Sequence, residues 1–175
     1  DEQLEIARRN TPEVMTAFGY SRDNVFFNKD FIETLESIED DTVDLVVSDC
    51  AINLSPSKDN VFSSIYRVLK PGGEFYISDI VADRRLPESI RNDRKLHAEC
   101  LGGALYEYDL LDTITAAGFR DPRSVSRSLV EENIGGEPNR FYSMTLRGFK
   151  FENPLDPRCE DFSQHATYLG NCPGS

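Results

Sequence analysis

The stretch Val61–Asp79, "VFSSIYRVLKPGGEFYISD", changes period part-way along. Val61, Ile65, Val68 and Leu69 fall at i, i+4, i+7 and i+8, the spacing of one helix face. Pro71 cannot continue a helix, and Gly72 and Gly73 turn the chain. "EFYISDIVA" (Glu74–Ala82) then reads as a strand. Upstream, "TVDLVVSD" (Thr42–Asp49) is a nearly unbroken apolar run of the kind expected in a buried parallel strand. Strand, helix, strand is the α/β unit, in which ligands bind beyond the carboxyl ends of the strands.

Working outward, Glu2 to about Phe18 is helical in pattern, with Pro12 expected to kink or restart it from an N-cap at Asn10 or Thr11. "NVFFN" (Asn24–Asn28) reads as a short strand, and "FIETLESI" as a helical or irregular turn. Ser55 or Ser57 is available to cap the central helix. A charged helical insertion runs from Pro87 to about Leu96 and leads into "HAECLGGAL" (His97–Leu105). "EYDLLDTITAAGF" is a helix closing on Gly118, and "SVSRSLVE" with "RFYSMTLRGFKF" alternates as an antiparallel pair would. No internal repeat or low-complexity tract is present.

The 175 residues suffice for one domain with a real core, and 39% hydrophobic with 10% aromatic content is globular in kind. No window approaches the ~20 apolar residues of a membrane helix. A net charge of −12 argues against nucleic acid, since phosphate binding wants clustered Lys and Arg. The charged opening "DEQLEIARRN" is not a secretion signal, and with four cysteines it points to a reducing, cytoplasmic setting. Any one of those cysteines, taken singly, is best read as core filling. Cys50 and Cys100 stand out as a pair: each follows an acidic residue, Cys50 lies just past the end of one strand, and Cys100 lies in the long insertion after the next, on the same rim of the sheet. His97 and Cys100 have His-x-x-Cys spacing, but no second ligand pair at zinc spacing accompanies them. His165 reads as solvated, as do the acidic loops at 39–41 and 131–133.

"YRVLKPGGEFYISD" resembles the later half of class I S-adenosylmethionine-dependent methyltransferases. The longer run from "SDCAINLSPSKDNVF" through "ECLGGALYEYDLL" and "GFRDPR" to "RCEDFSQHATYLG" resembles the arsenite methyltransferases, with few gaps from Asp1 to about Gly170. The resemblance implies a Rossmann-like sheet with a terminal antiparallel hairpin, S-adenosylmethionine as methyl donor and trivalent arsenic as acceptor. It implies that Cys50 and Cys100 are the arsenic-binding thiols, and that Ile32 and Glu33 contact the adenine ring. Asp49 departs from the family, which usually has Asn before that cysteine; a carboxylate there would attract the sulfonium or raise the thiol's pKa. The family's Gly-rich turn and ribose-binding acid have no counterpart, so the sheet's first two strands are expected to be missing and the chain to be truncated at both ends. Residues 1–151 are then a partial methyltransferase domain with an arsenic-binding insertion at about 83–106, and residues 152–175 begin a C-terminal extension.

Soft trivalent arsenic prefers sulfur, and two or three converging thiolates leave its lone pair free to take a methyl group. Such a site needs alignment more than acid–base chemistry. Expected partners are arsenite or its thiol conjugates and a small thiol or thioredoxin-type reductant, with the protein a monomer. Cys159 and Cys172 read as inert or redox-accessory, with a disulfide or an arsenic shuttle as alternatives. Two rival functions are a class I methyltransferase acting on another small molecule and a non-catalytic thiol-based arsenic- or metal-binding module.

Overall fold

The computed structural model describes residues 2–22, 24–134 and 137–151. Helix α1 spans Glu2–Ala17, strand β1 Val43–Asp49, helix α2 Lys58–Val68 and strand β2 Leu69–Ala82. Two short helices follow, α3 Glu88–Arg91 and α4 Arg94–Ala98, then α5 Glu107–Ala116 and the hairpin strands β3 Arg120–Ile134 and β4 Glu137–Phe149. The sheet order is β1-β2-β4-β3, with β1 and β2 parallel and the remaining pairs antiparallel. No helix among the described residues is long and apolar enough to cross a membrane.

The period change at "KPGG" builds the core. Helix α2 buries Val61, Phe62, Ser64, Ile65 and Val68 on one face. Strand β2 alternates cleanly, with Phe75, Ile77, Asp79 and Val81 turned inward. Phe75 meets Phe119 edge-on at a centroid distance of 4.7 Å, and Phe119 meets Tyr66 at 5.0 Å. Burying such rings removes on the order of 150–250 Å² each from water and dominates the packing. The "KPGG" segment is not a free turn. Leu69 already pairs with Val43, the next paired position is Glu74 with Leu45, and the residues between bulge out. Lys150 brackets the bulge: the Gly72 N–H donates to its carbonyl at 2.6 Å, and its own N–H donates to the Gly73 carbonyl at 2.8 Å.

Several expectations need correction. Asn24–Asn28 is not a strand, because no described neighbour offers its backbone a ladder. Helix α1 runs through Pro12 unbroken, with the Thr11 hydroxyl bonding the Ala7 carbonyl at 2.8 Å. Ser57 holds the N-cap position of α2 but makes no side-chain cap; its N–H donates instead to Ser55 Oγ at 3.1 Å. The charged insertion is two helices rather than one, because the Asp93 carboxylate caps Lys95 and Leu96 and starts the second. Strand β1 is apolar yet not buried on both faces: it lies at a sheet edge, with Leu45 49% and Val47 66% exposed.

A second apolar cluster matters for the site. Leu86, Ile90, Leu101 and Ala104 of the insertion pack on Ala82 and Phe141. The Ala82 N–H donates to the Leu105 carbonyl at 2.8 Å. The insertion is thereby folded back over the carboxyl ends of β1 and β2.

Candidate functional site

Where β1 ends, the chain turns sharply. The Cys50 N–H donates to the Ser78 carbonyl at 2.9 Å, and a 3-10 turn, Ile52–Leu54, follows at once. Cys50 has φ +51°, and Cys100, at the end of α4, has φ +62°. A side chain bearing a Cβ rarely adopts this left-handed region, and doing so costs about 1–3 kcal/mol unless the surroundings hold it there. Both candidate thiols therefore sit on strained backbone. The two residues are in contact: the Cys100 Sγ donates to the Cys50 main-chain carbonyl at 3.3 Å across fifty positions of sequence. Both thiols are free.

The electrostatics favour neutral thiols. Cys50 is exposed as a residue, yet removal of its sulfur from water pushes its pKa up, and Asp49 and then Asp79 push it further. Cys100 is raised by burial first and Asp79 second, with Lys58 pulling the other way. Asp79 is only 7% exposed, and burial raises its carboxyl above the usual range against the downward pull of backbone donors at Ile80, Asn53 and Ile52. Burial lowers Lys58, which donates to the Ser55 carbonyl at 3.2 Å.

The segment carrying Ile32 and Glu33 joins the same rim. Ser55 Oγ donates to the Glu33 carboxylate at 2.5 Å, and Ser64 Oγ donates to the Glu33 carbonyl at 2.7 Å. Ile32 packs against the main core. Asp49 is exposed beside Cys50. The His97 ring nitrogen lies 3.4 Å from the Leu54 carbonyl, and no group of three metal-ligating side chains occurs among the described residues. Cys159, Cys172 and His165 lie outside the described residues.

Sequence reasoning missed the polar residues beneath the thiols. Asn53 is buried, its N–H donates to Asp79 Oδ2 at 3.0 Å, and its amide donates to the carbonyls of Ile80 (2.7 Å) and Cys100 (3.1 Å). A signal for Asp79 was available: it occupies an inward phase in the alternation Phe75, Ile77, Val81, where a carboxylate needs a reason to be. Asn53 sits in a turn, and its sequence surroundings give no such signal.

A family model described as "Methyltransferase domain" matches residues 1–142. The chain belongs to this methyltransferase family. Its fold is the class I methyltransferase fold. Over 183 residues it is 45% identical to an arsenite methyltransferase of Aquipseudomonas alcaligenes, covering 99% of this chain and 51% of that protein. The Homo sapiens arsenite methyltransferase is 41% identical over 156 residues, which is 85% of this chain and 41% of the relative. CrArsM, an arsenic (III) S-adenosylmethionine methyltransferase from Chlamydomonas reinhardtii, superposes with a TM-score of 0.80 at 41% identity, covering 89% of this chain and 54% of that one. This methyltransferase chain thus spans about half the length of the relatives it matches.

Proposed function

We propose that this chain takes part in methylation of trivalent arsenic, with S-adenosylmethionine as the donor and Cys50 and Cys100 as the thiolates that hold the acceptor. The observation that carries the reading is the contact of two free cysteines on strained backbone at one rim, Cys100 Sγ lying 3.3 Å from the Cys50 main-chain carbonyl. The activity for which the relatives are named supports it. A methyltransferase with another small acceptor would leave this pair idle, which favours arsenic over that rival.

Ile32 offers apolar surface and Glu33 a carboxylate acceptor at the same rim, a pair that fits the adenine end of the cofactor. Asp49 stands beside Cys50, where its charge would favour a sulfonium. When bound, S-adenosylmethionine supplies an electrophilic methyl group. This chain's own residues bind and orient the acceptor. Arsenite, As(OH)3, condenses with two thiols: two As–S bonds form, two As–O bonds break and two waters leave. Because ligation itself takes up the thiol protons, the raised pKa values of Cys50 and Cys100 are no obstacle.

The reading extends to the rest of the chain and its setting. Residues 1–151 are the methyltransferase portion, about 83–106 the arsenic-binding insertion, and 152–175 the start of a C-terminal extension. The protein works as a cytoplasmic monomer, takes arsenite or its thiol conjugates, depends on a small thiol or thioredoxin-type reductant and binds no nucleic acid.

The test is arsenite uptake by calorimetry on the wild-type chain, Cys50→Ser and Cys100→Ser. Each substitution is expected to abolish tight binding. Unchanged uptake in both would remove the two-thiol site, and uptake with no cofactor binding would favour the non-catalytic module.

A further inference from the structure

We infer that Asn53 is the positioning residue that fixes Cys100 against Cys50, so that capture of trivalent arsenic by two sulfurs depends on its side-chain amide. The inference rests on the two-thiol reading of the site.

Asn53 is 4% exposed. Its amide nitrogen has two hydrogens, one for each of two carbonyls: Ile80 at the end of β2 (2.7 Å) and Cys100 at the tip of the insertion (3.1 Å). Its main-chain N–H goes to Asp79 Oδ2 at 3.0 Å, and the other Asp79 oxygen accepts the Ile80 N–H at 2.8 Å. One buried network therefore joins β2, the 3-10 turn after Cys50 and the Cys100 loop.

The loop's main-chain N–H bonds near its tip are internal. The Cys100 N–H goes to the His97 carbonyl at 3.0 Å, and those of Leu101 and Gly102 both go to the Leu96 carbonyl at 2.9 Å. They shape the loop without tying it to Cys50. The apolar cluster around Leu86 and Ile90, with the Ala82–Leu105 bond, secures the base of the insertion rather than its tip. Two further links cross the gap, Cys100 Sγ to the Cys50 carbonyl at 3.3 Å and the His97 ring to the Leu54 carbonyl at 3.4 Å. The first involves a weak thiol donor and the second is long. The Asn53 amide is the shortest and best-buried tie.

Chemistry restricts what could replace it. Asp at this position would turn oxygens toward two carbonyls, and an apolar residue would leave both carbonyls without this donor. Cys100 sits at φ +62°, a conformation that persists only where its surroundings enforce it. Without the amide, the tip is free to relax and carry Sγ away from Cys50. The second As–S bond forms within an adduct already held by the first, so its strength follows the local concentration of the second thiol. Loosening that thiol weakens chelation while leaving each sulfur individually reactive.

The test uses the chain with Cys159 and Cys172 changed to Ser, leaving only the pair. Arsenite is titrated calorimetrically against this parent, Asn53→Ala, Cys50→Ser, Cys100→Ser and the Asn53→Ala/Cys100→Ser double variant. Asn53→Ala is expected to weaken arsenite binding about tenfold or more. Iodoacetamide labelling of Cys50, which needs one thiol only, should keep its rate. In the Cys100→Ser background Asn53→Ala should have no further effect, because the tip it positions no longer carries a ligand. Unaltered arsenite binding in Asn53→Ala, or equal weakening in both backgrounds, overturns the inference. If Asn53→Ala is unfolded by circular dichroism, Asn53→Ser is measured instead; it keeps a donor too short to reach both carbonyls, and the same pattern is required. Loss of binding in Cys50→Ser and Cys100→Ser but not in the Asn53 variants would refute the role of Asn53 alone. Retained binding in both cysteine variants would refute the two-thiol reading with it.

Discussion

Replacing Gly103 by Ala tests how closely the Cys100 loop must approach the turn beneath it. Gly103 does not require glycine for its backbone angles; it requires glycine for space. A Cβ there would stand 1.9 Å from the Asn53 carbonyl oxygen and 2.9 Å from its carbon, whereas ordinary contact begins at 3.4 Å. The obstacle is backbone, so the loop must lift by about 1.5 Å, the difference between the two distances. For scale, a zinc–thiolate bond is about 2.3 Å long, so such a lift is more than half a bond length of this kind. Misplacement by ~1 Å can cost on the order of 100-fold in a reaction that depends on alignment. Overpacking of this sort costs about 1–3 kcal/mol in stability. The expected result is a folded protein with a modestly lowered Tm and arsenite binding reduced far beyond what that destabilisation explains. Calorimetric titration with arsenite beside a thermal melt reads both quantities. A Gly103→Ala protein that binds arsenite like wild type while its Tm falls would refute the claim that the loop's seating sets the distance between the thiols.

Asp49→Asn removes the nearest charge that raises Cys50, so the Cys50 thiol should ionise at lower pH. The sign is definite: a raised thiol pKa means less thiolate at neutral pH, so iodoacetamide should label Cys50 faster in Asp49→Asn at pH 7. Its pH–rate inflection should move down, and an inflection that stays put or rises would contradict the assignment. Phe119→Ala empties a fully buried site whose ring meets Phe75 and Tyr66 edge-on. The expected loss is about 3–5 kcal/mol, a fall in Tm of about 6–20 °C at ~2–4 °C per kcal/mol; a shift below that range would mean the aromatic cluster is not the centre of the core.

Some of this protein could be read along the chain because the signal is local. Val61, Ile65 and Val68 share a helix face through their spacing alone, and the alternation from Phe75 to Val81 gives a strand and its inward side. The hairpin β3–β4 was legible for the same reason. Asn24–Asn28 was misread because a strand needs a partner, and a run of apolar residues does not say whether one is present. The insertion was read as one helix where Asp93 starts a second, because a side-chain cap inside a charged run looks like one more charge.

The sequence by itself determined the α/β order, the helix-to-strand change at "KPGG", and the identity of two cysteines that follow strands on one rim. Only the tertiary structure decided that they meet, that both occupy left-handed backbone, and that Asn53 and Asp79 lie beneath them. The physical reason is distance along the chain. Periodicity reports on neighbours within a turn or two, whereas the approach of residue 100 to residue 50 depends on the register of β1 on β2 and on the apolar base that folds the insertion back. A buried amide that serves two remote carbonyls leaves no periodic trace.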